Sequence, residues 1–92
     1  MLTDKSLEEK AELFKCIGDP SCLKIISALI KNKELCVSEI TADVGISMPA
    51  VSHQLSKLKS MGLVTRKRNG QMICYSLVKN DLTKVLKSML NS

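Results

Sequence analysis

Aromatic residues are almost missing from this chain: it has no tryptophan, one phenylalanine (Phe14) and one tyrosine (Tyr75). A core built without them must be filled by Leu, Ile, Val, Met and Ala, and a chain of 92 residues buries only about 60–65% of its unfolded surface. Such a core is thin and gains from a partner chain. Long apolar runs are missing as well. Lys24, Lys31 and Lys33 interrupt the most apolar stretch, which falls short of the roughly 20 residues of a membrane span. Met1-Leu2-Thr3-Asp4-Lys5 lacks the basic and apolar regions of a signal peptide, so the expected location is the cytoplasm. With 4 Gly, 2 Pro, 45% hydrophobic and 25% charged residues, the composition is that of one folded domain, not of a disordered chain or a two-domain enzyme.

Acidic residues are absent between Asp43 and Asp81, an interval that carries Lys57, Lys59, Arg66, Lys67, Arg68 and Lys79. The net charge of +5 therefore resides in the second half, where eight Lys/Arg face one acid. A surface of one sign attracts a polyanion, and in a cytoplasm the commonest is nucleic acid. The cysteines at 16, 22, 36 and 74 contain no C-x-x-C pair. In a reducing compartment they are expected as free thiols and not as a disulfide scaffold.

Hydrophobic spacing divides the chain into short elements. Leu7, Ala11, Phe14 and Ile17 predict an amphipathic helix from about Ser6 to Cys16, stopped by Gly18. Asp19-Pro20 then supplies an N-cap acceptor and a residue suited to the first helical position, opening a helix through Ile30. After a short link at Glu34-Leu35, Cys36-Val37-Ser38-Glu39 has the form of a capping box with Cys in the Ser/Thr slot. The helix it opens ends at Gly45, and Ser47 is the N-cap candidate of a fourth helix running to about Met61. Val51, Leu55, Leu58 and Met61 make the inner stripe of that helix, leaving Ser52, His53, Gln54, Lys57 and Lys59 for solvent. Residues 63–68 and 71–77 read as extended runs, with Asn69-Gly70 at their junction as a two-residue hairpin signal. Leu82, Val85, Leu86, Met89 and Leu90 complete a last helix at about 80–90.

The expected fold is thus mostly α with a small β-hairpin wing, in the order α-α-α-α-β-β-α. The helix-turn-helix covers about 37–61 and the wing about 63–78. In such a winged helix-turn-helix the second helix of the unit enters the major groove and the hairpin follows the phosphates. Ser52, His53 and Gln54 have side chains that hydrogen-bond base edges. His53 is the only histidine and has no nucleophile or second ligand at a recognisable spacing, so an enzyme is not expected. A winged helix can also serve as a protein-docking module, but that use calls for an acidic or apolar wing, and here the wing is basic.

The chain resembles the ArsR/SmtB family of winged-helix repressors over residues 7–90. The resemblance is carried by Leu13-Phe14-Lys15-Cys16-Ile17-Gly18-Asp19-Pro20, by Glu34-Leu35-Cys36-Val37-Ser38-Glu39-Ile40, by Val51-Ser52-His53-Gln54-Leu55, by Leu58-Lys59-Ser60-Met61-Gly62-Leu63-Val64, and by Gly70 with Tyr75-Ser76-Leu77. It implies a homodimer bound to an inverted repeat in double-stranded DNA and released by an effector. The implied recognition positions are Ser47, Met48, Val51, Ser52, His53 and Gln54, joined by the basic Lys57, Arg66, Lys67 and Arg68. The implied interface lies in the terminal helices, about 6–16 and 80–90, through Leu7, Phe14, Leu82, Val85, Leu86 and Leu90.

The effector is where the chain departs from the family. Soft-metal sensors of the family carry two thiols one residue apart at the third helix, whereas this chain has Cys36 followed by Ser38. The His and carboxylate pairs of the zinc and cobalt sensors are also missing, since residues 79–92 contain Asp81 as their only acid and no His. Cys36 at an N-cap faces the positive end of a helix, which favours thiolate, and Cys16 and Cys22 bracket a nearby turn. These three are the candidates for a thiophilic effector, As(III), Cd(II), Pb(II) or Zn(II), or for thiol oxidation, whereas Cys74 reads as a packing residue. The expected function is a DNA-binding repressor released by a thiophilic metal or metalloid; the alternatives are a thiol-redox-responsive or effector-independent repressor of the same fold.

Overall fold

The computed structural model describes residues 4–91. Two helices open the fold, α1 (Asp4–Ile17) and α2 (Pro20–Lys31), separated by Gly18 and the cap residue Asp19. Asp19 accepts the Ser21 backbone N–H at 2.9 Å, and Pro20 occupies the first helical position. A two-residue strand, β1 (Leu35–Cys36), leads into α3 (Val37–Val44), where Glu39 accepts the Cys36 backbone N–H at 2.9 Å, the carboxylate half of the expected capping box. Gly45 ends α3 in the left-handed conformation at φ 71°. Ser47 caps α4 (Met48–Ser60) by accepting the Ala50 N–H at 3.3 Å. Then come β2 (Val64–Asn69), β3 (Met72–Leu77) and α5 (Asp81–Leu90), the last capped by Asn80.

The sheet has three strands in the order β1-β3-β2, all antiparallel. Glu34-Leu35 is expected as a link, but Leu35 opens β1, which pairs Leu35 with Tyr75 and Cys36 with Cys74. The hairpin turn also sits one residue later than expected. Asn69 pairs with Met72, so the loop is Gly70-Gln71 instead of Asn69-Gly70. Gly70 has φ 65° while Gln71 keeps a negative φ, the pattern of a type II′ turn with glycine first.

One core unites these elements. Cys16, Cys22, Ile25, Ile26, Leu29, Ile40, Val51, Leu55, Leu58, Leu63, Val64, Tyr75 and Leu86 form a single buried cluster drawn from α1, α2, α3, α4, the sheet and α5. Leu86 was expected on a dimer surface, yet it is 5% exposed inside this cluster. Leu82 and Leu90 pack partly against the same cluster, because α5 turns its 82, 86, 90 stripe inward. Val85 at 54%, Phe14 at 71% and Leu7 at 49% remain on the surface. No helix among the described residues is long and apolar enough to cross a membrane.

Candidate nucleic-acid interface and thiol sites

Helix α4 lies behind the Gly45 turn with one face in the core and the other in solvent. Ser47, Met48, Ser52, His53 and Lys57 are exposed, and so are Arg66, Lys67 and Arg68 on β2. Arg68 donates from Nε to the Gly70 carbonyl at 3.2 Å, which ties its guanidinium stem to the tip of the hairpin. These residues can meet a polyanion without rearrangement of the core. Val51 cannot: it is fully buried and belongs to the packing of α4.

Gln54 is a second correction. It was expected among the solvent-facing readers, but only 8% of its surface is exposed. Its Nε2 donates to Asp19 Oδ2 at 3.0 Å and to Ser21 Oγ at 3.1 Å. Asp19 Oδ1 in turn accepts the Ser21 hydroxyl at 2.8 Å as well as the Ser21 N–H. The amide of Gln54 therefore fastens α4 to the N-terminal cap of α2. The two Ser21 bonds hold the Asp19 carboxyl below its usual range, with Gln54 and the nearby Lys57 adding in the same direction against partial desolvation. Gln54 stands at i, i+3, i+4, i+7 spacing with Val51, Leu55 and Leu58, the one sequence signal that assigns it to the inner face.

The thiols expected to act together fall into two pairs. Cys36 is joined by a disulfide to Cys74, its antiparallel partner across β1 and β3, 38 residues away in sequence. Cys36 thus offers no thiolate at the cap of α3, and Cys74, read as a packing residue, is its partner. The expectation of four reduced thiols is likewise corrected, leaving Cys16 and Cys22 as the free ones. Their sulfurs lie 3.0 Å apart across the α1–α2 turn, and Cys16 is 4.0 Å from Gln54 Oε1. Burial, reinforced by the hydrogen bond with Cys16, pushes the Cys22 thiol far up and keeps it protonated. Cys16 reaches the wall of a cleft of about 270 Å³ shared with Lys15, Asp19, Gln54 and Lys57. Among the described residues no three His, Cys, Asp or Glu side chains converge as a metal site.

Comparison with known proteins agrees with this geometry. Residues 19–66 match the family model for bacterial regulatory proteins of the arsR family. The chain is 39% identical over 82 residues to a transcriptional repressor SmtB homolog of Synechocystis, covering 89% of this chain and 61% of that one. It is 37% identical over 79 residues to the transcriptional repressor SdpR of Bacillus subtilis, covering 86% and 87% respectively. Among solved structures, the AntR antimony-specific transcriptional repressor superposes with a TM-score of 0.79 at 30% identity, over 99% of this chain and 82% of that one. This chain spans about three fifths of the length of the Synechocystis relative.

Proposed function

Because the chain belongs to the arsR family of bacterial regulatory proteins, with a winged helix-turn-helix fold, we propose that it is a repressor that binds a specific inverted repeat in duplex DNA as a homodimer. The observation that carries this reading is the pairing of an exposed polar face on α4 (Ser52, His53) with an exposed basic strand (Arg66, Lys67, Arg68) on a chain with no acid between Asp43 and Asp81. Helix α4 reads base edges from the major groove, and the wing binds phosphate. Leu7, Phe14 and Val85, apolar and exposed on the terminal helices, are the surface through which two copies associate.

The experiment is selection of duplex from a random pool, followed by fluorescence anisotropy of the winner and a scrambled duplex across salt. Preferential binding, with log affinity falling linearly against log salt, is expected. Equal affinity for both duplexes, or none for either, refutes the assignment.

The effector is a thiophilic species that weakens DNA binding. One structural relative is named for antimony, and the free thiols of this chain are a close pair. A redox reading has its own support in the Cys36–Cys74 disulfide, which locks the start of α3 to the wing strand β3. Under that reading, reduction of the disulfide alters DNA affinity and a Cys36→Ser protein is insensitive to reductant; equal responses from Cys36→Ser and the parent exclude it.

A further inference from the structure

We propose that the cleft between the end of α2, the end of β3 and α5 is a binding site for a small amphiphilic anion, an aliphatic chain ending in one carboxylate or phosphate. The inference goes beyond the repressor reading and concerns basic residues that the reading leaves unused. The cleft has a volume of about 570 Å³, within the range of about 300–1,000 Å³ usual for small-molecule sites. Its apolar lining comes from Leu29 and Ile30 on α2 and from Leu77 and Val78 at the end of β3. Lys33, Lys79, Lys84 and Lys87, all exposed, stand around it. No acid contributes to the lining: Glu34 and Asp81, close by in sequence, stay outside it.

Hydrogen bonds hold the walls in place before any ligand arrives. The buried Thr83 donates its hydroxyl to the Val78 carbonyl at 2.6 Å and accepts the Asn80 N–H at 3.0 Å, joining the start of α5 to the end of β3. The Val78 N–H in turn donates to the Leu63 carbonyl at 2.9 Å. Asn32 Nδ2 donates to the Ala28 carbonyl at 2.9 Å and so covers one carbonyl at the C-terminal end of α2. Four ammonium groups around one cleft repel one another, and an anion between them relieves that repulsion. Their methylene stems extend the apolar walls. A bare ion leaves the apolar floor wet and a neutral chain leaves the charges unmatched, whereas a chain with an anionic end satisfies both. The cleft shares no residue with α4 or with the hairpin tip at 69–72, so its lysines are separate from the residues proposed to face DNA. On α5, Lys84 and Lys87 stand about 100–160° around the helix from Val85, on a different flank from the proposed dimer surface.

The test is calorimetric titration of the whole chain with octanoate and with octyl phosphate, both below the concentration at which they aggregate, against octan-1-ol and acetate at matched concentrations. One anion per chain is expected, the tighter of the two naming the head group, with no binding of the alcohol or of acetate. Shortening octanoate to hexanoate removes two methylenes, each worth about fourfold when fully buried, and is expected to weaken binding by at least about fourfold. Lys84→Glu combined with Lys87→Glu is expected to weaken binding by about tenfold or more. Lys33→Glu combined with Lys79→Glu repeats the test from the side of α2 and β3 should the first pair fold poorly. Lys10→Glu combined with Lys24→Glu makes the same change in net charge on exposed lysines outside the cleft, and is expected to bind like the parent. The proposal is overturned if neither anion binds, if octan-1-ol or acetate binds as tightly as octanoate, or if the cleft and control variants lose binding alike. It is also overturned if the parent ignores both anions while the Lys84→Glu, Lys87→Glu chain loses duplex binding, because the lysines then belong to the DNA surface. The titrations contain no DNA, so failure of the repressor reading shows separately, as absence of duplex binding by the parent.

Discussion

Replacing Gln54 by alanine separates a base-reading residue from one that positions the reading helix. The structure gives Gln54 two hydrogen bonds, to Asp19 and Ser21, and leaves it 8% exposed. Each such bond contributes about 0.5–1.5 kcal/mol net, and the truncation also withdraws one buried methylene worth about 0.8 kcal/mol. The expected cost is about 3 kcal/mol, against a total stability of roughly 5–15 kcal/mol for a domain. For a chain of this size that lowers the thermal midpoint by about 10–20 °C. Urea and thermal unfolding followed by circular dichroism, at one fixed protein concentration because the proposed dimerisation would add to stability, measure it. A cycle with Ser21→Ala is expected to be non-additive by at least about 0.5 kcal/mol, since the two residues share the network. DNA affinity falls for all sequences in parallel as α4 loses its seat. A Gln54→Ala protein within about 0.5 kcal/mol of the parent that had lost only its preference for the selected duplex would falsify this reasoning and restore Gln54 to the DNA face.

Four further outcomes are expected. Arg66→Ala and Arg68→Ala each weaken binding to all duplexes and reduce the log-log salt slope by about one, measured by anisotropy from low to moderate salt. The folded Asp19 carboxyl lies below its ordinary value of 3.8, so its stabilising effect is complete above that pH and is lost as the pH falls through the lowered value. An acid-unfolding series should accordingly show Asp19→Asn less sensitive than the parent below about pH 4. Reducing the Cys36–Cys74 disulfide, which closes a loop over a separation of 38 residues, costs about 4 kcal/mol in the chain-entropy account, read as a shift in urea midpoint with and without reductant. Val85→Glu leaves a folded monomer in sedimentation, whereas Leu86→Glu unfolds the protomer, because Val85 is exposed and Leu86 belongs to the core. A dimeric Val85→Glu protein would place the interface elsewhere.

Local signals in the sequence determined most of the architecture. Apolar spacing marked α1, α2, α4 and α5, and the caps at Asp19 and Ser47 and the stop at Gly45 fixed the helix ends, because each depends on residues within one or two turns. The acid-free basic interval and the order of elements likewise announced a wing after a helix-turn-helix unit. Tertiary structure decided what depends on register and on which face of an element meets another. The hairpin signal fitted two turns, and pairing from Val64–Leu77 through Asn69–Met72 selected Gly70-Gln71. Strand β1 is two residues long and exists only because β3 offers it a partner, so nothing in Leu35-Cys36 alone marks it. The same pairing sets Cys36 against Cys74, while the α1–α2 turn sets Cys16 against Cys22. A spacing of 38 or 6 residues carries no such information until the chain between is folded. Gln54 and Leu86 follow the same logic. Polarity assigned Gln54 to solvent and an apolar stripe assigned Leu86 to a partner, but the cap of α2 gave the amide its hydrogen bonds and the thin core claimed the leucine.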